Sequence, residues 1–486
     1  MDLALLFSTY AAALGVRKIT QQRMLYEALR DAIVSGALPA DTRLPATRAL
    51  ARELGIARNS ALFAYEQLSE QGFLTVSRRG SVVARSGLRP AQPTTTQPAP
   101  VLSRRSAGLR RELPPRSGSL SLSPGSPALD KFPLAQWRAA MTRAWRALDA
   151  SHLDYGQSAG TPELRGAIAD YLRVSRGVQC HVDQVFITNG TQASLDVCAR
   201  ILADAGDNAW IEDPGYSGVR AAFQGAELSV IPIAVDGDGM AATDKNWAAT
   251  PPKLIYVTPS HQYPLGGVLS VSRRHALLDA AYAKGTWIIE DDYDCEFRHA
   301  GSPQVAMQGM RAHAPVIYIG TFSKTMFPSL RIAFMVVPEG LAHQFALTLG
   351  DISRHGRVAD QLALTEFIRS GAYTLHLRRM KTLYTQRRVA LQSALARHLG
   401  DVLTVSGGAG GMHLTARLDV PLRDVDVCEQ ARVAGLAVFA LSTYCLDPLT
   451  CERHNGFVLG YSGVPADKAD AAMRQLADII AAMLAR

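Results

Sequence analysis

Val316-Ile317-Tyr318-Ile319-Gly320-Thr321-Phe322-Ser323-Lys324, with Arg331 seven residues beyond the lysine, is the stretch on which the fold of this chain turns. It opens on a short apolar run of the kind buried in a mostly parallel sheet. Polar groups follow at once. Sites in α/β sheets gather at the carboxyl ends of strands, so Thr321, Ser323, Lys324 and Arg331 stand where a ligand would bind. A lysine amine can form a Schiff base with an aldehyde, and hydroxyls, backbone amides and a guanidinium can surround a phosphate dianion. Taken alone, a lysine beside serine and threonine is also what a solvated surface looks like.

The same alternation of short strands and helices runs outward from that stretch. Val185-Phe186-Ile187-Thr188 leads into Asn189-Gly190-Thr191-Gln192 and a helix through Leu202, and Ala209-Trp210-Ile211-Glu212 ends at Asp213-Pro214-Gly215-Tyr216. Lys253 to Thr258 and Thr286 to Glu290 are further strands. Residues 117–486 are thus expected to form a large α/β domain with a mostly parallel sheet. Its last part, from about residue 400, has strands near Leu414 and Val458 and a final helix from Lys468, the pattern of a smaller α+β subdomain. Glu290-Asp291-Asp292-Tyr293-Asp294 closes one of the strands. A carboxylate facing a pyridine nitrogen keeps it protonated and makes the ring an electron sink. The same cluster would equally suit magnesium or calcium, which prefer carboxylate oxygens.

The N-terminal quarter is built differently. Leu25, Leu29 and Ile33 fall four apart and Gly36 follows, which predicts a helix over 22–35. Pro45 opens a second helix with Leu50 and Leu54 on one face, ended by Gly55. A third runs from about Arg58 to Gln71, burying Leu62, Tyr65 and Leu68, with Gly72 after it. Phe73 to Val76, the turn Arg78-Arg79-Gly80-Ser81 and Val82 to Ala84 read as a hairpin. Three helices and a basic-tipped hairpin make a winged helix-turn-helix over residues 1–85. Such a domain holds a recognition helix in a groove about 12 Å wide while arginines grip backbone phosphates. Arg43, Arg48, Arg52, Arg58, Arg78 and Arg79 are available for that work, and Asn59 and Ser60 share the polar start of the third helix. A small helical domain with ordinary solvated arginines would show the same periodicity. Residues 86–116 hold six prolines among Thr, Gln, Ser and Arg without apolar periodicity, a semi-extended basic linker.

Charge divides the chain at the same place. Of the formal net +8, residues 1–116 carry 17 Lys and Arg against 8 Asp and Glu, and residues 117–486 carry 34 against 35. A basic small domain beside a neutral large one suggests a polyanion partner for the first. The cysteines, at 180, 198, 295, 428, 445 and 451, lack the paired short spacing that holds zinc or iron–sulfur and are sparse for a disulfide scaffold, which fits a reducing cytoplasm and no metal. Met1 to Gly15 has no basic start and is too short to span a bilayer, and no other segment offers about 18 uninterrupted apolar residues. A soluble, intracellular protein without a membrane segment is expected.

Residues 25–84 resemble the GntR-type winged helix of bacterial regulators. Leu29-Arg30, Ile33, Gly36, Arg43-Leu44-Pro45, Arg48, Leu50-Ala51, Leu54-Gly55, Arg58-Asn59 and Ala64-Tyr65 carry the likeness. Where that family commonly has serines, this chain has Ala46 and Ala57. Loss of a capping hydroxyl costs about 0.5–2 kcal/mol. Residues 120–486 resemble fold-type I pyridoxal-phosphate aminotransferases, and the whole chain is similar to the MocR/GabR-like regulators that join the two. The resemblance makes Lys324 the Schiff-base lysine of pyridoxal 5'-phosphate, Asp291 the partner of its ring nitrogen and Tyr293 a contact to its phenolic oxygen. Gly190, Thr191 and Gln192, joined by Thr321 and Arg331, would form the phosphate cup, and Tyr216 would stack on the ring. Tyr155 would reach a phosphate in the neighbouring subunit, implying a homodimer, which in the family is domain-swapped.

Two departures bear on function. Ordinary aminotransferases have Asn-Pro-Thr-Gly near the phenolic oxygen, whereas this chain has Tyr263-Pro264-Leu265-Gly266. The arginine that grips a substrate carboxylate falls at Val458, and a valine cannot supply that fork. Arg453 is the nearest substitute for binding an effector. The expectation is therefore a cytoplasmic, nucleoid-associated regulator that binds promoter DNA and senses a small amine, an amino acid or pyridoxal phosphate itself. The alternatives are a true aminotransferase with a basic N-terminal extension and a nonspecific DNA-associated protein with a degenerate cofactor domain.

Overall fold

Leu25, Ala28, Leu29, Ala32 and Ile33 line one side of a helix and are all buried, because residues three and four apart share a helical face. A computed structural model of the chain describes residues 2–13, 19–77, 80–85, 103, 105, 120–299, 304–352, 356–407 and 410–486. It divides into two units, Met1–Val101 and Leu102–Arg486. The first holds α1 (Leu3–Ala13), α2 (Gln21–Val34), α3 (Thr47–Leu54) and α4 (Arg58–Glu70), then the hairpin strands β1 (Leu74–Ser77) and β2 (Gly80–Val83). The wing register runs from Leu74 opposite Val83 to Ser77 opposite Gly80. Arg78 and Arg79, and the linker of residues 86–116 save Ser103 and Arg105, lie outside the described residues.

Three details of the small unit differ from expectation. Leu62 is 40 % exposed; Ala61, Ala64, Tyr65 and Leu68 are the buried face of α4, since they repeat at three and four residues and Leu62 sits a step of about 100° round the helix. The second helix starts at Thr47 instead of Pro45, whose carbonyl instead accepts the Tyr65 hydroxyl at 2.9 Å. Gly80 and Ser81 belong to a strand, not to the turn. Ala46 and Ala57 are the N-caps of α3 and α4 and neither gives a side-chain cap. Leu68 is fully buried in the core these helices share. Leu68→Ala is expected to cost about 2–5 kcal/mol, as deletion of a core leucine does, and to lower the urea midpoint of this unit.

In the second unit an eight-stranded sheet has the order β4-β11-β10-β9-β8-β5-β6-β7. Its strands are β4 (Val185–Thr188), β5 (Asn208–Asp213), β6 (Ser229–Asp236), β7 (Gly239–Met240), β8 (Leu254–Val257), β9 (Trp287–Asp291), β10 (Val316–Thr321) and β11 (Ala333–Val336). The centre is parallel; β11 runs antiparallel to both neighbours and β7 to β6. Helices bury both faces, so β4, β8, β10 and β11 are buried at every position.

The smaller subdomain has an antiparallel sheet of order β12-β13-β16-β15, formed by β12 (Leu403–Ser406), β13 (His413–Leu418), β15 (Phe439–Ala440) and β16 (Gly456–Gly460). A short strand, β3 (Leu120–Ser121), pairs in parallel with β14 (Leu436–Ala437), and Leu122 and Ala128 complete the subdomain's core. The subdomain is thus built from two separated pieces of chain. The 28-residue helix Ala372–Leu399 ties the layers together, with Tyr373 in the core of the large sheet and Leu391, Leu395 and Leu399 in that of the small one. Among the described residues no helix is long and apolar enough to cross a membrane.

Candidate functional site

Strands β4, β5, β6, β8, β9 and β10 all run the same way, so their carboxyl ends share one edge of the sheet. The loops that leave this edge carry Gly190 to Gln192, Tyr216, the 260–266 segment, Asp291 to Asp294, and Thr321 to Lys324. Segments far apart in sequence thereby converge at one place.

Asp291 ends β9 and is buried. Its Oδ2 accepts a hydrogen bond from the Tyr256 hydroxyl at 2.8 Å, across from β8. Its Oδ1 is buried with no partner among the described residues. Burial pushes this carboxyl up to about 7; the Tyr256 bond and the Lys324 charge pull it back, and Asp292 adds to the rise. A buried acceptor left unmade costs on the order of 1–3 kcal/mol. A protonated ring nitrogen is the kind of donor that this oxygen lacks.

Lys324 lies half-buried in the turn after β10. A strap through Gly125 runs against it, so closely that a Cβ on Gly125 would come within 2.7 Å of Lys324 Nζ. At the next loop, Arg331 adopts a left-handed backbone (φ 50°) and its Nη2 donates to the carbonyl of Asn189 at 2.9 Å. It thereby covers Gly190, the N-cap of the helix Thr191–Leu202. Gly190 has φ +95°, and a Cβ there would approach Arg331 Nη2 to 2.5 Å, so glycine alone lets the guanidinium lie over the helix start. A helix N-terminus and an arginine together suit a dianion. Thr321 is buried beside them, its Oγ1 accepting the Ser323 N–H at 3.1 Å. Gln192 turns instead to the next helix, donating to the carbonyl of Gly218 at 2.9 Å.

The three aspartates after β9 go to different partners. Asp292 holds the buried Arg176 at 2.6 Å and accepts the Tyr318 hydroxyl at 2.6 Å. Asp294 faces His261 Nδ1 at 3.1 and 3.2 Å, and Asp291 takes Tyr256. This divergence removes the run as a joint divalent-cation site. The Tyr293 hydroxyl lies 2.9 Å from the same His261 Nδ1. Tyr216 stands edge-on to Tyr263 at 6.1 Å, and Tyr263 donates to the Tyr444 hydroxyl at 3.2 Å.

His261, His413, Tyr256 and Gly125 were not singled out from the sequence. The signal for the first was its place in Ser260-His261-Gln262-Tyr263-Pro264, immediately after a strand; the signal for His413 was the Gly410-Gly411 pair before it. Gly411 (φ +78°) packs so tightly on His261 that a Cβ would lie 2.0 Å from Cε1. His261, Asp294 and His413 bring one donor atom each within 4.8 Å of one another. Tyr155 is 79 % exposed. Arg453 is exposed at the end of the helix Pro448–Arg453, outside the buried cluster, while Val458 is fully buried in β16 opposite Thr415.

In the N-terminal unit Arg48 and Arg52 stand four apart on α3, and Arg58 and Asn59 occupy the first turn of α4; all four are exposed, and Ser60 is half-buried. Arg43 is exposed and its backbone bridges to Val82 of the wing. Ion pairs in this unit include Arg23–Glu27, Arg30–Asp31 and Arg85–Asp41.

Fold and site together define a class: a winged helix joined to a fold-type I transferase domain of the pyridoxal-phosphate kind. Residues 21–83 match the family of bacterial regulatory proteins, gntR family, and residues 118–447 match aminotransferase class I and II. The chain is 39 % identical over 455 residues to the probable rhizopine catabolism regulatory protein MocR of Rhizobium meliloti, covering 92 % of this chain and 91 % of that one. It is 31 % identical to the pyridoxine biosynthesis transcriptional regulator PdxR of Corynebacterium glutamicum, over 94 % of this chain and 95 % of that one. Among solved structures, the kynurenine aminotransferase of Pyrococcus horikoshii superposes with a TM-score of 0.71 at 24 % identity, over 79 % of this chain and 97 % of that one. The chain belongs to the MocR-type regulators of the GntR family, in which a DNA-binding winged helix is fused to an aminotransferase-like domain.

Proposed function

We propose that this regulator holds pyridoxal 5'-phosphate on Lys324 and uses the occupied site to sense a small amine, an amino acid or the cofactor itself. The observation that carries the reading is the buried Oδ1 of Asp291, without a partner among the described residues, one strand away from the β10 turn that bears Lys324. Lys324 supplies the amine for the covalent link, and Asp291 offers the ring nitrogen an anionic partner. Gly190, Thr191, Thr321 and Arg331 hold the phosphate by charge and hydrogen bonding; Gln192 lines that cup from its bond to Gly218. Tyr216 covers the ring face, Tyr293 approaches the phenolic oxygen, and the exposed Tyr155 suits a phosphate contact in a partner subunit of a domain-swapped homodimer. When bound, the cofactor supplies an electrophilic carbon that an amine can attack. Incubation with pyridoxal phosphate, borohydride reduction and peptide mapping tests the assignment; absence of an adduct on Lys324 sinks it.

The winged helix, residues 1–85, would read double-stranded promoter DNA in the cytoplasm, on the nucleoid, with residues 86–116 as a tether to the domain of residues 117–486. Arg58, Asn59 and Ser60 open the recognition helix and would face base edges, while Arg43, Arg48, Arg52, Arg78 and Arg79 would hold phosphates. Arg58→Ala is expected to lower specific affinity by about 10- to 100-fold, since a base contact is worth about 1–3 kcal/mol. Replacing Arg78 or Arg79 should instead weaken binding to all sequences and flatten its salt dependence. Footprinting and salt titration separate the two effects, and unchanged footprints and slopes would defeat the assignment.

A further inference from the structure

Val458 and His413 lie on paired strands of the small subdomain. Strands β13 and β16 pair with Thr415 opposite Val458 and His413 opposite Gly460, so these side chains share one face. That face meets the cofactor loops: His413 Nε2 and Thr415 Oγ1 both donate to the carbonyl of Pro264, at 3.0 and 2.6 Å. The ring of His413 lies 5.3 Å from that of Tyr263 and 5.0 Å from that of His261. Where an aminotransferase would present a guanidinium, this face presents a buried isopropyl group.

Hydrogen-bond bookkeeping fixes the character of the His413 imidazole. A carbonyl can only accept, so Nε2 of His413 carries the hydrogen and Nδ1 offers a lone pair. Burial pushes the His413 imidazolium down to about 3, which keeps the ring neutral. His261 Nδ1 lies 3.1 and 3.2 Å from the Asp294 carboxylate oxygens and 2.9 Å from the Tyr293 hydroxyl. His413 Nδ1 and His261 Nε2 are both buried without a hydrogen-bond partner among the described residues, and the two residues are only 1 % and 5 % exposed. The His413 acceptor beside an apolar wall offers a carboxylate no donor and itself lacks one.

We infer that the effector site takes a primary amine bearing hydroxyl groups and no α-carboxylate, a hydroxyl hydrogen donated to His413 Nδ1 while Val458 lines the place where an amino acid would put its carboxylate. This rests on the reading that Lys324 and Asp291 hold pyridoxal phosphate.

Serinol, serine and isopropylamine share one three-carbon skeleton with the amine on the central carbon. They differ in carrying two hydroxyls, a hydroxyl and a carboxylate, or neither. Each is titrated into the full-length, cofactor-loaded protein while the visible absorbance is followed. Serinol is expected to half-saturate at a concentration about tenfold below the other two, one net hydrogen bond being worth about a factor of ten. His413→Phe should bring serinol and isopropylamine to the same value, and His413→Asn, which keeps an acceptor, should retain part of the preference. Val458→Arg should turn the preference about tenfold toward serine. The inference is overturned if serine matches or beats serinol on the wild-type protein, if serinol and isopropylamine differ by less than about twofold, or if no amine moves the spectrum of a protein that carries the Lys324 adduct. Absence of that adduct after borohydride is a different result, and it removes the cofactor reading itself.

Discussion

Lys324→Ala protein, incubated with pyridoxal phosphate and reduced with borohydride, is expected to carry no adduct and to show no visible cofactor band, where the wild type shows both. The loss is complete because the covalent link has one donor: Lys324 is the residue that the β10 turn delivers against the Gly125 strap at the strand-end edge. Promoter binding by the winged helix should survive in the variant, since the residues assigned to DNA lie in the unit Met1–Val101 and those assigned to the cofactor in the unit Leu102–Arg486, but its response to amines should vanish. If the variant still traps cofactor at another lysine, the assignment of Lys324 is wrong. If the wild type instead sustains rapid multiple turnovers with ordinary amino-acid and keto-acid pairs, the aminotransferase reading replaces the regulatory one.

Asp291→Asn should weaken cofactor binding by roughly 150- to 4,000-fold, because breaking a buried charge pair costs about 3–5 kcal/mol. The same substitution tests the electrostatics of the cofactor-free protein. Burial raises the Asp291 carboxyl to about 7 from an ordinary 3.8. The folded chain therefore holds a proton that the unfolded chain has already released, and stability falls as pH rises from about 4 through about 7. Glu212, Glu290 and Glu296, also pushed up to about 7 by burial, act with the same sign. Thermal melts of the cofactor-free wild type at pH 5 and pH 8 should show the lower Tm at pH 8, and Asp291→Asn should narrow the gap by removing one of the carboxyls. Pyridoxal phosphate should stabilise the wild type most at the higher pH, where an ionised Asp291 gains a cationic partner. A gap that Asp291→Asn leaves unchanged would show that this carboxyl does not titrate between folded and unfolded states.

Division of the chain into a basic helical quarter and an α/β remainder was legible in the sequence because it rests on local signals. Charge counts, helical repeats such as Leu25-Leu29-Ile33, and the apolar runs at 185–188 and 316–319 report on short stretches of chain. Lys324 and Asp291 were singled out for a similar reason, one just beyond β10 and the other at the end of β9, and Arg331 by its spacing from the lysine. Leu62 was misread because an apolar residue one step off the stripe cannot be told from one on it until the packing partners are known. Strands β3, β6, β7, β11, β12, β14 and β15 were also missed; β3, β7, β14 and β15 are two residues long and take their identity from a neighbour.

Long-range register decided the rest. Only the parallel pairing of β8, β9 and β10 sets Tyr256 against Asp291 and aims Lys324 at the same edge. Only the sheet of the small subdomain turns His413 and Val458 toward Pro264 from positions 149 and 194 residues away in sequence. The separation of Asp291, Asp292 and Asp294 onto Tyr256, Arg176 and His261 is likewise a tertiary result. Sequence by itself determined which residue types were available and which turns carried them. Tertiary structure determined which lone pairs are left unmatched in the interior, because a hydrogen-bond deficit exists only once burial has removed the water that would have filled it.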